Sequence, residues 1–326
     1  GVDFTNFMTS ALQKQYTYGK NEMPVYRTSI ILAVLTTILA IGALIFAKHP
    51  ALRSISSIAL IGVCTAVLMT FVLYPLLFKF FIENRPRKGK SPVPLRIATE
   101  SILFYTIFGL GGIVLSTFLR IFYWIAPLSK LKKRTIMATC MSKFMAFILS
   151  LKLGIKQKAI GNLADYKKEQ SIVIANHSSF LDTLVIGKYN PKIIYLVNDW
   201  VINSPFFGRF AKVFGFFPVS QGVEFGVNHL QNRIGTDFTV VVFPEGTRSY
   251  THEITRFKKG AFFLAESLQL PIQPIILHGG HEIIAKGDYM MFDGSMTHIV
   301  LPKIFQDSSI EVNSYSEKTK RVSKQF

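Results

Sequence analysis

The chain has 326 residues, 49% of them hydrophobic, and a formal charge of +18 although only 17% of its residues are charged. With a mean hydropathy of +0.33, so basic a chain points away from a water-soluble globule and from nucleic acid, whose binding proteins rarely carry long apolar runs, and towards a membrane surface. Cys64 and Cys140 each lie in an apolar run without Cys or His neighbours, which excludes a disulfide framework or a zinc cluster. The charge is gathered early: residues 1–150 hold 17 Lys and Arg against 4 Asp and Glu. The chain starts at Gly1 without an initiator Met or a signal-peptide pattern and stops after a basic helical stretch, so it reads as a piece of something longer.

Two charge-free runs come first, residues 29–47 (SIILAVLTTILAIGALIFA) and 58–78 (IALIGVCTAVLMTFVLYPLLF). Each is long enough, at roughly 1.5 Å per residue, to cross a hydrocarbon layer of about 30 Å. The short connection with Lys48, His49, Pro50 and Arg53 makes them a transmembrane hairpin. Lys79, Arg85, Arg87, Lys88, Lys90 and Arg96 crowd its exit, which places that end on the cytoplasmic side. Residues 83–94, rich in Pro, Lys and Arg, read as a linker against anionic headgroups. A third apolar run, 102–127, contains Gly109, Gly111, Gly112 and Arg120, with basic clusters on both sides. The run is long enough to span, but a single crossing would separate the two clusters, whereas a re-entrant or in-plane helical hairpin keeps both on one face, so the latter is expected and a span is the alternative. Residues 135–153 are amphipathic, with Lys143 and Lys152, and suit an interfacial helix. From about Lys156 the pattern changes. Apolar strands are predicted at 171–175, 192–197, 239–243 and 272–277, with helices at 223–234 and 260–268 between them, so this part is an α/β domain.

Two polar clusters follow strands of that domain. The first is Asn176-His177-Ser178-Ser179-Phe180-Leu181-Asp182. Acyl transfer to an alcohol needs a base, and a neutral imidazole suits the task; a carboxylate on its second ring nitrogen sets the tautomer and stabilises the imidazolium as it forms. Five residues separate His177 from Asp182, a distance one turn into a helix can close. No protein nucleophile is required, because the substrate's hydroxyl attacks. The blander alternative is a loop histidine and a helix-capping carboxylate. The second cluster is Phe243-Pro244-Glu245-Gly246-Thr247-Arg248-Ser249. Gly246 permits close backbone approach, Arg248 offers a bidentate fork for phosphate, and Glu245 can accept from a hydroxyl or hold Arg248. Arg256, Lys258 and Lys259 extend the anion-binding surface, although a turn with a surface arginine is the alternative.

Taken in order, the H-x4-D and F-P-E-G-T-R motifs, with GFFPV at 215–219 and LPIQP at 270–274, resemble the 1-acylglycerol-3-phosphate acyltransferase family over residues 156–304. The resemblance implies an α/β acyltransferase fold, His177 as base with Asp182 as its partner, and Glu245, Gly246, Thr247 and Arg248, helped by Arg256, Lys258 and Lys259, as the binding surface for a glycerophosphate head. It also implies acyl-CoA or acyl-carrier protein as donor, with no bound cofactor or metal. Ser220-Gln221 stand where the family's second motif commonly ends in an arginine, which leaves the acceptor head group open. Residues 1–82, with Gly1-Val2-Asp3-Phe4, Tyr18-Gly19-Lys20 and the joined runs, resemble the last helices of resistance–nodulation–division lipid exporters. In such an exporter Asp3 could belong to a proton relay; a helix-end role is the alternative.

The organisation expected is therefore exporter-like helices over 1–82, a basic linker over 83–98, membrane-anchoring helices over 99–155 and an α/β acyltransferase domain over 156–326. The partners expected are membrane phospholipids and a lysophospholipid, at the inner (plasma) membrane, with the catalytic domain on the cytoplasmic face. The rival expectation is a transporter-associated lipid-binding module without catalysis, and a third is a thioesterase. Trp200, Phe206, Phe207 and Phe210 either line an acyl path, dock on lipid or pack in the core.

Overall fold

The computed structural model describes residues 2–19, 21–163, 170–204, 207–231, 238–251, 253–305 and 315–326, and only the backbone of 2, 3, 209, 210, 213 and 315–317. Phe206 and the side chains of Asp3 and Phe210 thus lie outside the described residues. Two compact units divide the chain, Gly1–Leu95 and Arg96–Phe326.

The first unit is helical. Helices α1 (Val2–Tyr18) and α2 (Met23–Ala43) are followed by a 3-10 turn, Leu44–Phe46, and then by α3 (Pro50–Leu68). Pro24 and Pro50 sit in first turns, where a missing N–H costs no helical hydrogen bond. His49 caps α3, its Nδ1 accepting from the Ala51 N–H at 3.3 Å. Beyond Leu68 the helix continues through a π-helical turn at Met69–Leu73, an α-helical turn at Tyr74–Phe78 and a second π-helical turn at Lys79–Glu83. Pro75 lacks an N–H and its ring crowds the carbonyl four residues back, so a widened turn ahead of it lets the helix run on. Met8 and Ala11 of α1 pack with Met23, Ile30 and Val34 of α2, and Ser56 of α3 donates to the Ile41 carbonyl of α2. The outward faces are as apolar as this small core: Leu39 is 73% exposed and Ile58 69%.

The second unit opens with α4 (Leu95–Ile125) and α5 (Lys130–Ser150). Segments Met23–Phe46, Pro50–Lys88 and Leu95–Ile125 are all long and apolar enough to cross a membrane. The break expected within residues 102–127 is not there. One unbroken helix of 31 residues, roughly 46 Å long, carries all three glycines, and the chain turns only after Ile125. Packing explains the difference: Gly109 and Gly112 are buried, and a Cβ on Gly111 would come within 3.1 Å of the Phe144 ring of α5. The glycines admit a neighbouring helix instead of bending their own. Nor is α5 simply interfacial. Met137, Met141, Ile148 and Leu149 are buried, and the Lys152 side chain, expected at an interface, is 1% exposed and paired with Asp293 at 2.7 Å and with Glu100. Arg96 completes the cluster, 2.9 Å from Glu100 and also bonded to Asp293.

Among the described residues, seven strands follow in one sheet: β1 (Ile155–Ile160), β2 (Ile172–Ala175), β3 (Ile193–Val197), β4 (Phe217–Pro218), β5 (Thr239–Val242), β6 (Ile272–His278) and β7 (Gly294–Val300). Their order is β1-β7-β6-β2-β5-β3-β4, parallel throughout except where β7 runs antiparallel to β6. Between them lie α6 (Leu181–Tyr189), α7 (Asp199–Asn203), α8 (Gly208–Phe214), α9 (Gly222–Gln231), α10 (Gly260–Ser267) and α11 (Gly280–Ile283), with α12 (Tyr315–Ser323) last. Both faces of the central strands are covered. Val173 and Ala175 of β2 face a core with Leu181 and Leu184 of α6 and Phe104, Ile148 and Leu149 of the first two helices. Ile172 and Ile174 face the opposite core, with Phe262 and Leu264 of α10. Alternation with period two splits one apolar run between two cores, and this is why the predicted strands read as unbroken hydrophobic stretches.

Candidate active site

β2 and β5 are parallel neighbours, with Ile174 opposite Val242. The segments that follow them therefore leave the sheet together at its carboxyl edge, where open parallel sheets form their ligand crevices. This register brings the turn of His177 against that of Glu245, although 68 residues separate them.

Asp182, in the first turn of α6, points back at the turn before it. Its Oδ2 accepts from the Ser178 and Ser179 N–H groups, each at 2.8 Å, and lies 3.0 Å from His177 Nδ1. The carboxylate is fully buried, whereas the His177 side chain is 16% exposed, and its second ring nitrogen has no hydrogen bond among the described residues. The ring stacks on Phe243 with centroids 4.1 Å apart. The backbone of His177 is held at both ends: its N–H donates to Glu245 Oε1 at 2.7 Å, and its carbonyl accepts from the Ser249 N–H at 2.9 Å. Asn176 ties the end of β2 to β6 by donating to the Leu277 carbonyl at 2.8 Å and accepting from the Leu277 N–H at 2.7 Å. Behind Asp182, Gly280 leaves room for the carboxylate, since a Cβ there would come within 2.9 Å of Oδ1. A base with one ring nitrogen fixed by a carboxylate and the other without a hydrogen-bond partner among the described residues can take a proton from a hydroxyl.

Glu245 requires a correction. The sequence suggested a contact with a substrate hydroxyl or with Arg248, but Oε1 is taken by the His177 N–H, and Oε2 accepts from the Thr255 N–H at 2.9 Å and the Thr255 hydroxyl at 2.8 Å. Buried and bonded on both oxygens, it braces the two turns against each other. Burying a carboxylate without such partners would cost several kcal/mol, of the order of ~3 or more.

The cationic side of the site is formed by Arg248, Lys258 and Lys286. Arg248 is half-buried and has no hydrogen-bond or ion-pair partner among the described residues. Gly246 adopts φ +78°, and a Cβ on it would come within 2.5 Å of Lys258 Nζ, so glycine serves both the backbone conformation and the approach of the ammonium group. Thr247 is exposed and accepts from Lys286 Nζ at 3.0 Å; the same ammonium lies 3.8 Å from the Tyr250 ring centroid. Arg256 and Lys259 are exposed on the run leading into α10, which is tied to the turn after β5 by the Lys258 N–H donating to the Pro244 carbonyl at 2.9 Å. Ser220, at the position where an arginine was missed, donates to Asp199, and the adjacent Asn198 donates to the Gly246 carbonyl at 3.2 Å. Sequence reasoning passed over Asn176, Thr255, Gly280 and Lys286. Asn176 adjoins the motif and could have been singled out as a buried strand-end amide, whereas nothing local marks the other three. Among the described residues, no group of three or more His, Cys, Asp or Glu could hold a metal ion.

An acyltransferase family model matches residues 157–278. A 1-acyl-sn-glycerol-3-phosphate acyltransferase of Saccharomyces cerevisiae is 30% identical over 185 residues, 53% of this chain and 60% of that protein. A protein of the same description from Helicobacter pylori is 25% identical over 179 residues, 53% of this chain and 74% of its own length. The chain thus spans 60% of the yeast relative's length, less than two thirds of it. The crystal structure of the 1-acyl-sn-glycerophosphate acyltransferase PlsC from Thermotoga maritima superposes with a TM-score of 0.62 at 20% identity, over 71% of this chain and 94% of that one, which shows the shared α/β fold. Residues 157–278 thus match an acyltransferase family model, and about half of the chain is similar to proteins described as 1-acyl-sn-glycerol-3-phosphate acyltransferases.

Proposed function

We propose that this chain, with its acyltransferase domain, moves an acyl chain from a thioester donor to the free hydroxyl of a lysophospholipid such as 1-acylglycerol-3-phosphate. The observation that carries the reading is the 3.0 Å contact between His177 Nδ1 and the buried Asp182, with the second ring nitrogen left open. Nδ1–H donates to Asp182, and the other nitrogen removes the proton of the acceptor hydroxyl as its oxygen attacks the thioester carbonyl. The tetrahedral intermediate then collapses, the C–S bond breaks, and the leaving thiolate takes the proton from the imidazolium. Arg248, with Lys258 and Lys286 beside it, holds the acceptor's phosphate and so sets the distance from hydroxyl to base. The donor is acyl-CoA or acyl-carrier protein.

The remaining features extend this proposal. Apolar helices hold the domain at the inner membrane with the His177 crevice on the cytoplasmic face, as the basic residues after the second run support. The motifs in residues 1–82 support a fusion to a lipid exporter. Labelled acyl-CoA and acyl-carrier protein, offered with a panel of lysolipids to membranes containing the chain, should yield diacyl product. The variant His177→Ala should lower that rate by roughly a hundredfold to ten-thousandfold at unchanged protein level. Free fatty acid in place of diacyl lipid would mean a thioesterase. Lipid binding without product would mean a transport-associated module.

A further inference from the structure

We propose that a second lipid site, separate from the His177 turn, binds the phosphate-bearing headgroup of an anionic membrane phospholipid. It is an open groove of about 930 Å³ between the C-terminal end of α4, the second turn of α5 and Ile202, Asn203, Gly208 and Lys212. Arg120, Arg134 and Lys212 line it together with Thr117, Tyr123 and Trp124, and among the described residues no Asp or Glu lines it. None of the three cations has a hydrogen-bond or ion-pair partner among the described residues. Lys133 differs: its Nζ donates to the Tyr123 carbonyl at 2.8 Å, closing the end of α4. Lys130, Lys132, Lys133 and Arg134 crowd the amino end of α5, where the helix dipole disfavours positive charge, so helix stability does not account for them.

The surroundings of the groove select its occupant. Phe118, Trp124 and Ile125, beside it on α4, are 65%, 85% and 75% exposed. Indole and phenol rings at the end of a long apolar helix suit the headgroup level of a bilayer, and basic pockets at that level take anionic headgroups. A lipid whose chains lie along the Phe118 and Ile125 face presents its phosphate to the forks of Arg120 and Arg134. A choline headgroup would bring its own cation against three others, which is why the anionic class is selected. This site uses none of the residues assigned to acyl transfer and stands independently of that reading.

The chain contains two tryptophans, so Trp200→Phe leaves Trp124 as the sole reporter. The full chain in detergent is titrated with short-chain phosphatidylglycerol, short-chain phosphatidylcholine, inorganic phosphate and coenzyme A while Trp124 emission is followed. Phosphatidylglycerol should give a saturable shift. Arg120→Gln with Arg134→Gln should weaken it roughly thirtyfold, while the corresponding Lys pair, keeping the charge but losing the forks, should fall between the Gln pair and the unaltered chain. If the Gln pair does not fold, Lys212→Gln alone should cost about fivefold. An equal response to phosphatidylcholine overturns the proposal, as does wild-type affinity in a folded Gln variant. Binding of coenzyme A or inorganic phosphate as tight as that of phosphatidylglycerol also overturns it. His177→Ala should leave the titration untouched while removing transfer, so this proposal and the catalytic one fail separately.

Discussion

The helical hairpin of the first unit and the sheet of the second are built from the same residues turned in opposite directions. Leu39 of α2 and Ile58 of α3 are 73% and 69% exposed, whereas Val173 and Ile174 of β2 are fully buried. In the sheet, apolar side chains find their cover inside the protein, and the hydrophobic effect, about 25 cal/mol per Å², drives folding. In the hairpin, few do: only 11% of each long helix's most apolar window is buried. Helices with so little internal cover are long and apolar enough to cross a membrane, and close packing with polar contacts such as Ser56 to the Ile41 carbonyl joins them. Apolar composition is therefore no guide to burial here. What separates the two regions is whether the backbone pattern closes a core.

Truncation should separate the two regions most strongly. Phe262→Ala, in the core under α10, should lower stability by about 3–5 kcal/mol, whereas Leu39→Ala should stay within about 0.5 kcal/mol, both read by thermal unfolding of the detergent-solubilised chain. A large loss from Leu39→Ala would mean that protein, not lipid, covers that face. Charge insertion sharpens the contrast. Leu39→Asp, harmless on a water-exposed helix, should oppose membrane insertion by about 2.5–3.5 kcal/mol, seen as loss of the chain from the membrane fraction.

Acid pH should act on the sheet unit through His298. Burial, reinforced by the charge of Lys188, pushes its imidazole down to about 4, while Nε2 lies 2.7 Å from the Tyr189 hydroxyl. Between an ordinary value of about 6.5 and this one, the unfolded chain takes up a proton that the folded chain refuses. This contribution is whole above pH ~6.5 and is lost as pH falls towards 4, and His298→Gln should flatten that part of the curve. Asp293 behaves in the same direction at lower pH, because its hydrogen bonds to Arg96 and then Lys152 hold its carboxyl below the usual range. A small effect is also expected within the hairpin: Ser56→Ala should cost about 0.6 kcal/mol, and a null result would leave packing alone to hold α2 to α3.

The parts legible in the sequence are those set by short-range pattern. The strands at 171–175, 192–197, 239–243 and 272–277 correspond to β2, β3, β5 and β6, since cover on both faces makes each a continuous apolar run. β1 and β7 escaped notice because Lys156 and Lys158, or Thr297 and His298, interrupt the run on strands with a partly exposed face. The unbroken α4 was missed for a related reason. A glycine's intrinsic cost in a helix is visible locally, but the Phe144 ring packed against Gly111 is not.

By itself the sequence marked His177 and Asp182 as a candidate pair, since one turn into a helix can close five residues and the family resemblance implies it, and it determined which runs are long and apolar enough to cross a membrane. Only the tertiary structure decided that Glu245 braces the His177 turn, that Lys152 is buried among carboxylates and that Lys286 joins the Arg248 side of the crevice. These partners lie tens to hundreds of residues apart. Sheet register and helix packing select them, and neither leaves a mark on the neighbouring residues.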